Sequence, residues 1–99
     1  MTNAQGNPDV LDGFLAANFA DADLAGLTDE QAAVQDLSRA TLDWHRSVLR
    51  EGRAVLAAPR LDWHRIADYA NRGFIDEKQT RAWLSRMMDA LEKALKSPS

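Results

Sequence analysis

The stretch between Thr28 and Pro59 contains no proline, and its apolar residues recur with the 3.6-residue period of an α-helix. Thr28 and Gln31 form the capping-box pattern that starts many helices. On a helical wheel the apolar arc is roughly 160° wide, broader than a coiled-coil seam. Its two edges are Val34, Leu37, Thr41, Trp44, Val48 and Val55, and Leu42, His45, Leu49 and Leu56. The pattern predicts one long helix over 28–57 that packs against more than one neighbour.

The N-terminal part carries a shorter segment with the same period. Asn7 followed by Pro8 is a typical helix start, and it predicts a first helix over 8–19. Residues 20–27 then form a connection. Because isolated helices below about 12–15 residues are marginal in water, we expect Phe14 and Phe19 to dock this helix onto the rest of the fold.

Two further helices are predicted in the C-terminal part. The first covers 61–72 and ends at Gly73, which supplies the left-handed position common at helix ends. The second covers 76–96, where Asp76 and Gln79 form another capping box.

No segment alternates with the period of two that a strand requires, so the fold class is all-α. We expect a small antiparallel bundle of about four helices, over approximately 8–19, 28–57, 61–72 and 76–96. The 99 residues are enough for a single helical domain over 1–99, with frayed ends at 1–6 and 97–99. Three tryptophans, Trp44, Trp63 and Trp83, are expected to be mostly buried.

Composition excludes several classes of protein. The absence of cysteine excludes disulfide frameworks and thiolate metal sites. No run approaches the ~18 apolar residues of a membrane span, and the N-terminal segment lacks the basic and apolar regions of a signal peptide. We therefore expect a cytoplasmic protein that does not enter a membrane.

Charge is divided unevenly along the chain. The first 38 residues carry seven acidic and no basic side chains, whereas the remaining 61 carry twelve basic and eight acidic ones. Such asymmetry indicates either a charged partner or one part of the chain folding onto the other. We expect residues 1–27 to fold back and satisfy it internally; a mobile N-terminal arm is the competing interpretation.

Four arginines form a ridge within about 60° on the polar face of the predicted 28–57 helix. They are Arg39, Arg46, Arg50 and Arg53, with Asp43 among them. A solvated helix face is one interpretation, and a docking surface for an acidic partner is the functional one. In a third interpretation, the acidic N-terminal segment packs across the ridge.

The predicted 61–72 and 76–96 helices resemble a DNA-binding helix-turn-helix in their arrangement alone. The residues that would contact DNA are Lys78, Gln79, Arg81 and Ser85. However, the second helix begins with Asp76 and Glu77, and the protein has a net charge of −3; both repel phosphate.

Catalytic motifs are absent from the sequence, and we predict no enzyme, no cofactor and no metal site. The pentapeptide Leu-Asp-Trp-His-Arg occurs at 42–46 and at 61–65, but its residues fall on different faces of the two predicted helices. An aspartate two residues before a histidine points about 200° away on a helix, so the pair cannot chelate one ion. We expect His45 to be a histidine at the edge of the core, hydrogen-bonded to a neighbouring carboxylate or carbonyl.

Elimination therefore leaves a non-catalytic protein–protein interaction module, such as a small bacterial or phage regulator, inhibitor or assembly factor. Its partner would be another protein or a second copy of the chain, with nucleic acid as the alternative. Tryptophan and arginine, both enriched at interfaces, support the protein partner.

Overall fold

A computed structural model describes residues 9–20, 22–35 and 37–96. The described chain consists of α1 (Asp9–Phe19), α2 (Ala22–Ala25), α3 (Asp29–Ala33), a 3-10 turn (Arg39–Thr41), α4 (Leu42–Ala57), α5 (Trp63–Ala70) and α6 (Glu77–Lys96). No strand occurs in these ranges, so the predicted all-α class is confirmed. The predicted frayed ends at 1–6 and 97–99 lie outside the described residues.

The predicted single helix over 28–57 is wrong, because the structure divides it into α3, the 3-10 turn and α4. A 30-residue helix would be about 45 Å long, whereas the longest dimension of the molecule is 35 Å. The break lets α3 fold back against α6 and α1.

Local hydrogen bonds stabilise the break. The side chain of Gln35 donates to the carbonyl of Asn18 at 2.9 Å, which ties the chain after α3 to α1. The backbone N–H of Ser38 donates to the Thr41 hydroxyl at 3.0 Å and so begins the 3-10 turn. Short hydroxyl side chains compete with helical hydrogen bonding in this way.

The helix starts follow the predicted caps more closely than the helix ends do. The Thr28–Gln31 capping box forms at the start of α3. At the start of α6, the N–H of Gln79 donates to the Asp76 carboxylate at 2.8 Å. In contrast, α5 ends at Ala70, and the next residue, Asn71, takes the left-handed conformation (φ 56°) that we predicted for Gly73. Asparagine is one of the few residues with a side chain that adopt this conformation, and the amide of Asn71 donates to the carbonyl of Ala20 at 3.3 Å.

The core lies between α1, α4 and α6, with α5 closing the side next to α1 and α6. From α1 the buried side chains are Leu11, Phe14, Leu15 and Phe19; from α6 they are Trp83, Leu84, Met87, Met88 and Leu91. The predicted docking of the first helix is therefore confirmed for α1.

The α4 and α6 helices approach closely at Gly52. A Cβ built on Gly52 would overlap the side chain of the buried Met88, so a larger residue at this position would force that side chain to move.

The three tryptophans differ in burial. Trp83 is 5% exposed and lies 4.9 Å from the ring of Phe19 (centroid to centroid), as expected of a core residue. Trp63 is half-buried. The predicted burial of Trp44 is wrong, since it is 36% exposed. It lies at the edge of the buried face of α4, where Phe14 packs against it at 6.0 Å between ring centroids.

Candidate functional site

Three acidic residues of the N-terminal part pair with arginines of the C-terminal part. Asp12 of α1 accepts hydrogen bonds from Nε and Nη2 of Arg65 in α5. At the start of α3, Asp29 pairs with Arg72 at 2.6 Å, and Glu30 pairs with Arg86 of α6 at 3.3 Å. The charge asymmetry is thus partly satisfied within the molecule, as expected. The interpretation in which the acidic segment packs across the arginine ridge does not hold for these three acids, because their partners lie on α5, in the turn after it and on α6.

Asp29 is the most connected of these carboxylates. Its second oxygen accepts a hydrogen bond from the indole N–H of Trp83 at 2.7 Å. Burial alone would raise the pKa of Asp29. Hydrogen bonds from Arg72 and Trp83, with the positive charge of Arg72, outweigh burial and hold the pKa below its usual value. The sequence gives no signal for this cluster, because its members come from three separate elements.

Arg53 is the one member of the predicted ridge that the fold uses internally. Its guanidinium donates to the carboxylates of Asp89, at 2.9 Å, and Glu92 on α6. These two hydrogen bonds raise the pKa of Arg53. Arg53 therefore belongs to the contact between α4 and α6 and not to the candidate surface.

Five of the nine arginines connect separate parts of the fold. Besides Arg53, Arg65, Arg72 and Arg86, the fifth is Arg81 of α6. It donates to the carbonyls of Leu56, at 2.7 Å, and Ala58, at 3.4 Å, at the end of α4. The remaining four are Arg39, Arg46, Arg50 and Arg60, and all four are exposed.

These four arginines all lie on α4 or beside it. Arg46 pairs with Asp43, and Arg50 donates to Ser47, both on the same helix. Arg39 and Arg60 form no ion pair with any residue in the described part of the chain. We call Arg39, Arg46 and Arg50 the arginine strip. It is the candidate site, and it retains three of the four ridge residues predicted from the sequence.

The residues of the DNA-binding alternative are divided by the structure. The Gln79 side chain accepts a hydrogen bond from the N–H of Ile75 at 2.8 Å, as part of the α6 cap. Arg81 holds the end of α4 and also donates to Glu77 at 2.6 Å, a bond that lowers the pKa of that carboxyl. Lys78 is exposed and Ser85 is half-buried. Only these two remain available for an external contact.

The two histidines lie in different surroundings. His45 is fully buried, and its Nδ1 lies 2.9 Å from the carbonyl of Thr41. A carbonyl only accepts, so Nδ1 carries the proton, and the predicted structural role of His45 is confirmed. His64 is exposed and stacks on Trp63 at 3.8 Å between ring centroids. Within the described ranges, no group of three or more potential ligands could hold a metal ion.

An open cleft of about 600 Å³ lies on α5 and is lined by Asp62, Arg65, Asp68 and Tyr69. Asp62 caps α5 by accepting from the N–H of Arg65, whose guanidinium is held by Asp12. Two lining residues are therefore engaged in stabilising the fold, and the lining has no hydroxyl, thiol or imidazole group other than the phenol of Tyr69.

Comparison of the chain with protein-family models, with curated proteins and with solved structures finds no match. Among the described residues, no helix has the length and apolar character needed to cross a membrane.

Proposed function

We propose that the protein is a non-catalytic protein–protein interaction module that binds an acidic surface of its partner through the arginine strip. The proposal includes a cytoplasmic location and a role such as that of a small bacterial or phage regulator, inhibitor or assembly factor. Its partner is another protein, a second copy of the chain being one case.

One observation supports this proposal. The four arginines that do not link separate parts of the fold all lie on α4 or next to it. Arginine is suited to such a surface because its planar guanidinium binds carboxylates in a bidentate manner and loses hydration readily. Lysine would serve equally well on a face that only contacts solvent. However, the three lysines of the chain all lie on α6, and none lies on this face of α4.

The test compares two charge reversals of equal size. The R46E/R50E variant removes the positive charge of the strip on α4, and K78E/K93E makes the same change in net charge on the exposed face of α6. Tagged wild-type and variant proteins are used to capture partners from the native host, followed by mass spectrometry. We expect the partner to be lost only with R46E/R50E. Equal capture by all three proteins would contradict the proposal.

The DNA-binding alternative predicts a different result. Duplex DNA would bind with a steep salt dependence, and K78E/K93E would weaken that binding more than R46E/R50E. We expect no binding of duplex DNA at micromolar protein and physiological salt, since the net charge of −3 opposes it.

A further inference from the structure

Apart from Trp44, which lies at the edge of the buried face, the exposed residues of α4 form one continuous line along the helix. They are Asp43, Arg46, Arg50, Ala54 and Ala57, and all five are exposed. Their positions fall within about 80° of arc and extend over about 21 Å. Arg39 precedes this line in the 3-10 turn, and Arg60 follows it in the loop after α4.

The two halves of this line differ in size and charge. The first half carries the guanidinium groups, whereas the second half has only the methyl groups of Ala54 and Ala57. Small side chains let another helix approach closely, because the distance between packed helices depends on the residues at the contact. Arg50 and Arg60 lie on either side of these alanines along the chain.

We infer that the partner docks an acidic amphipathic helix lengthwise on this face of α4. Carboxylates of that helix face Arg46 and Arg50, and an apolar side chain covers Ala54 and Ala57. This inference rests on the proposed function, and it specifies what kind of protein segment the arginine strip binds.

Both parts of the contact are needed for affinity and orientation. The ion pairs with Arg46 and Arg50 attract any acidic segment, although each contributes only a small amount. Burial of an apolar side chain over the alanines adds affinity only when the segment is helical. The charged groups accelerate association and fix the position of the helix along α4.

Asp43 distinguishes a helical protein segment from a uniform polyanion. Its carboxylate is fully exposed and lies on the same line as Arg46 and Arg50. A nucleic acid would place a phosphate near this carboxylate, which is repulsive. A protein helix can place a neutral or basic residue there.

The test uses a synthetic acidic peptide as the probe. The peptide is alanine-rich and helical, with glutamates at i, i+4 spacing and a leucine two turns further along the same face. Its control has the same composition and charge, but alternate residues have the D configuration, so it cannot form the helix. Binding of both peptides is measured by fluorescence anisotropy. The proteins are wild type, R46E/R50E, A54Q/A57Q, and A82Q, which changes an exposed alanine of α6.

We expect the helical peptide to bind at least about 10-fold more tightly than its control, a difference of about 1.4 kcal/mol. A54Q/A57Q should lose that preference, R46E/R50E should lose binding of both peptides, and A82Q should bind like wild type. Equal binding of the two peptides by wild type would contradict the inference that the partner segment is helical, but not the proposal that the partner is acidic. Absence of binding to either peptide would also overturn the inference, whereas the proposed function is decided separately by the capture experiment.

Discussion

Replacing Asp29 with alanine removes a carboxylate that two mostly buried donors share. Nη2 of Arg72 lies 2.6 Å from one carboxylate oxygen, and the indole nitrogen of Trp83 lies 2.7 Å from the other. The Arg72 side chain is 14% exposed and Trp83 is 5% exposed. Without Asp29, neither donor can regain full hydration from solvent.

The cost follows from these two bonds. A hydrogen bond to a charged group contributes about 1.5–3 kcal/mol, but the full sum does not apply here. Asp29 is 25% exposed, and Arg72 keeps hydrogen bonds to the carbonyls of Phe19, Ala70 and Asn71. We therefore expect Asp29→Ala to lower the free energy of unfolding by about 2–4 kcal/mol.

The neighbouring Glu30 is a matched control. It also lies in the first turn of α3 and also pairs with an arginine, so loss of the helix-dipole interaction is common to both variants. The Glu30–Arg86 pair is longer, at 3.3 Å, and both side chains are more than half exposed. Glu30→Ala should therefore cost only about 0–1 kcal/mol.

The assay is urea denaturation followed by far-UV circular dichroism, with the free energy extrapolated to water. A difference between the two variants of less than about 0.5 kcal/mol, the scale of an ordinary surface substitution, would contradict this expectation. Such a result would mean that burial of the two donors does not increase the contribution of the Asp29 carboxylate to the free energy of unfolding.

The remaining predictions concern pH, helix packing and the tryptophans. Because the pKa of Asp29 is lowered in the folded protein, its stabilising effect is complete above the ordinary carboxyl pKa of about 3.9 and is lost as pH falls through the lower folded value. Acid titration of the unfolding free energy should therefore be shallower for Asp29→Ala than for wild type. Gly52→Ala should be less stable than Gly13→Ala by about 1–3 kcal/mol in thermal or urea unfolding. Both variants gain helix propensity, but only the Cβ at position 52 meets Met88. Trp83→Ala should cost about 3–5 kcal/mol by urea denaturation, and Trp44→Ala clearly less, because Trp44 is 36% exposed; equal losses would contradict the assigned burial.

Local signals in the sequence predicted much of the helical structure. The capping residues Thr28 and Asp76 act within one turn of their helices, so the sequence is sufficient to place those starts. The break between α3 and α4 was not predictable from periodicity, because apolar spacing continues through residues 34–41. The break depends on Gln35 reaching α1 and on α3 packing against α6.

The candidate site was also predicted only in part, because a helical wheel shows the faces of one helix but not the elements that pack against them. A helical wheel places Arg46 and Arg50 on the polar face, and the structure leaves them exposed. The wheel could not show that Arg53 faces Asp89 and Glu92, since the neighbour of α4 at that edge is set by the tertiary fold. Ala54 and Ala57 lie on the same arc as the arginines. An interpretation of this face by its charges alone did not include these two small residues.

Photo-crosslinking from the centre of the proposed docking face is the most direct test of whether this face binds a protein. A photoreactive phenylalanine derivative is placed at position 54 of α4 or at position 82 of α6, where exposed alanines stand on two different helices. After irradiation in the native host, adducts are identified by mass spectrometry. We predict a defined protein adduct from position 54 and none from position 82. The same adducts from both positions, or none from position 54, would contradict a protein-binding role for this face of α4.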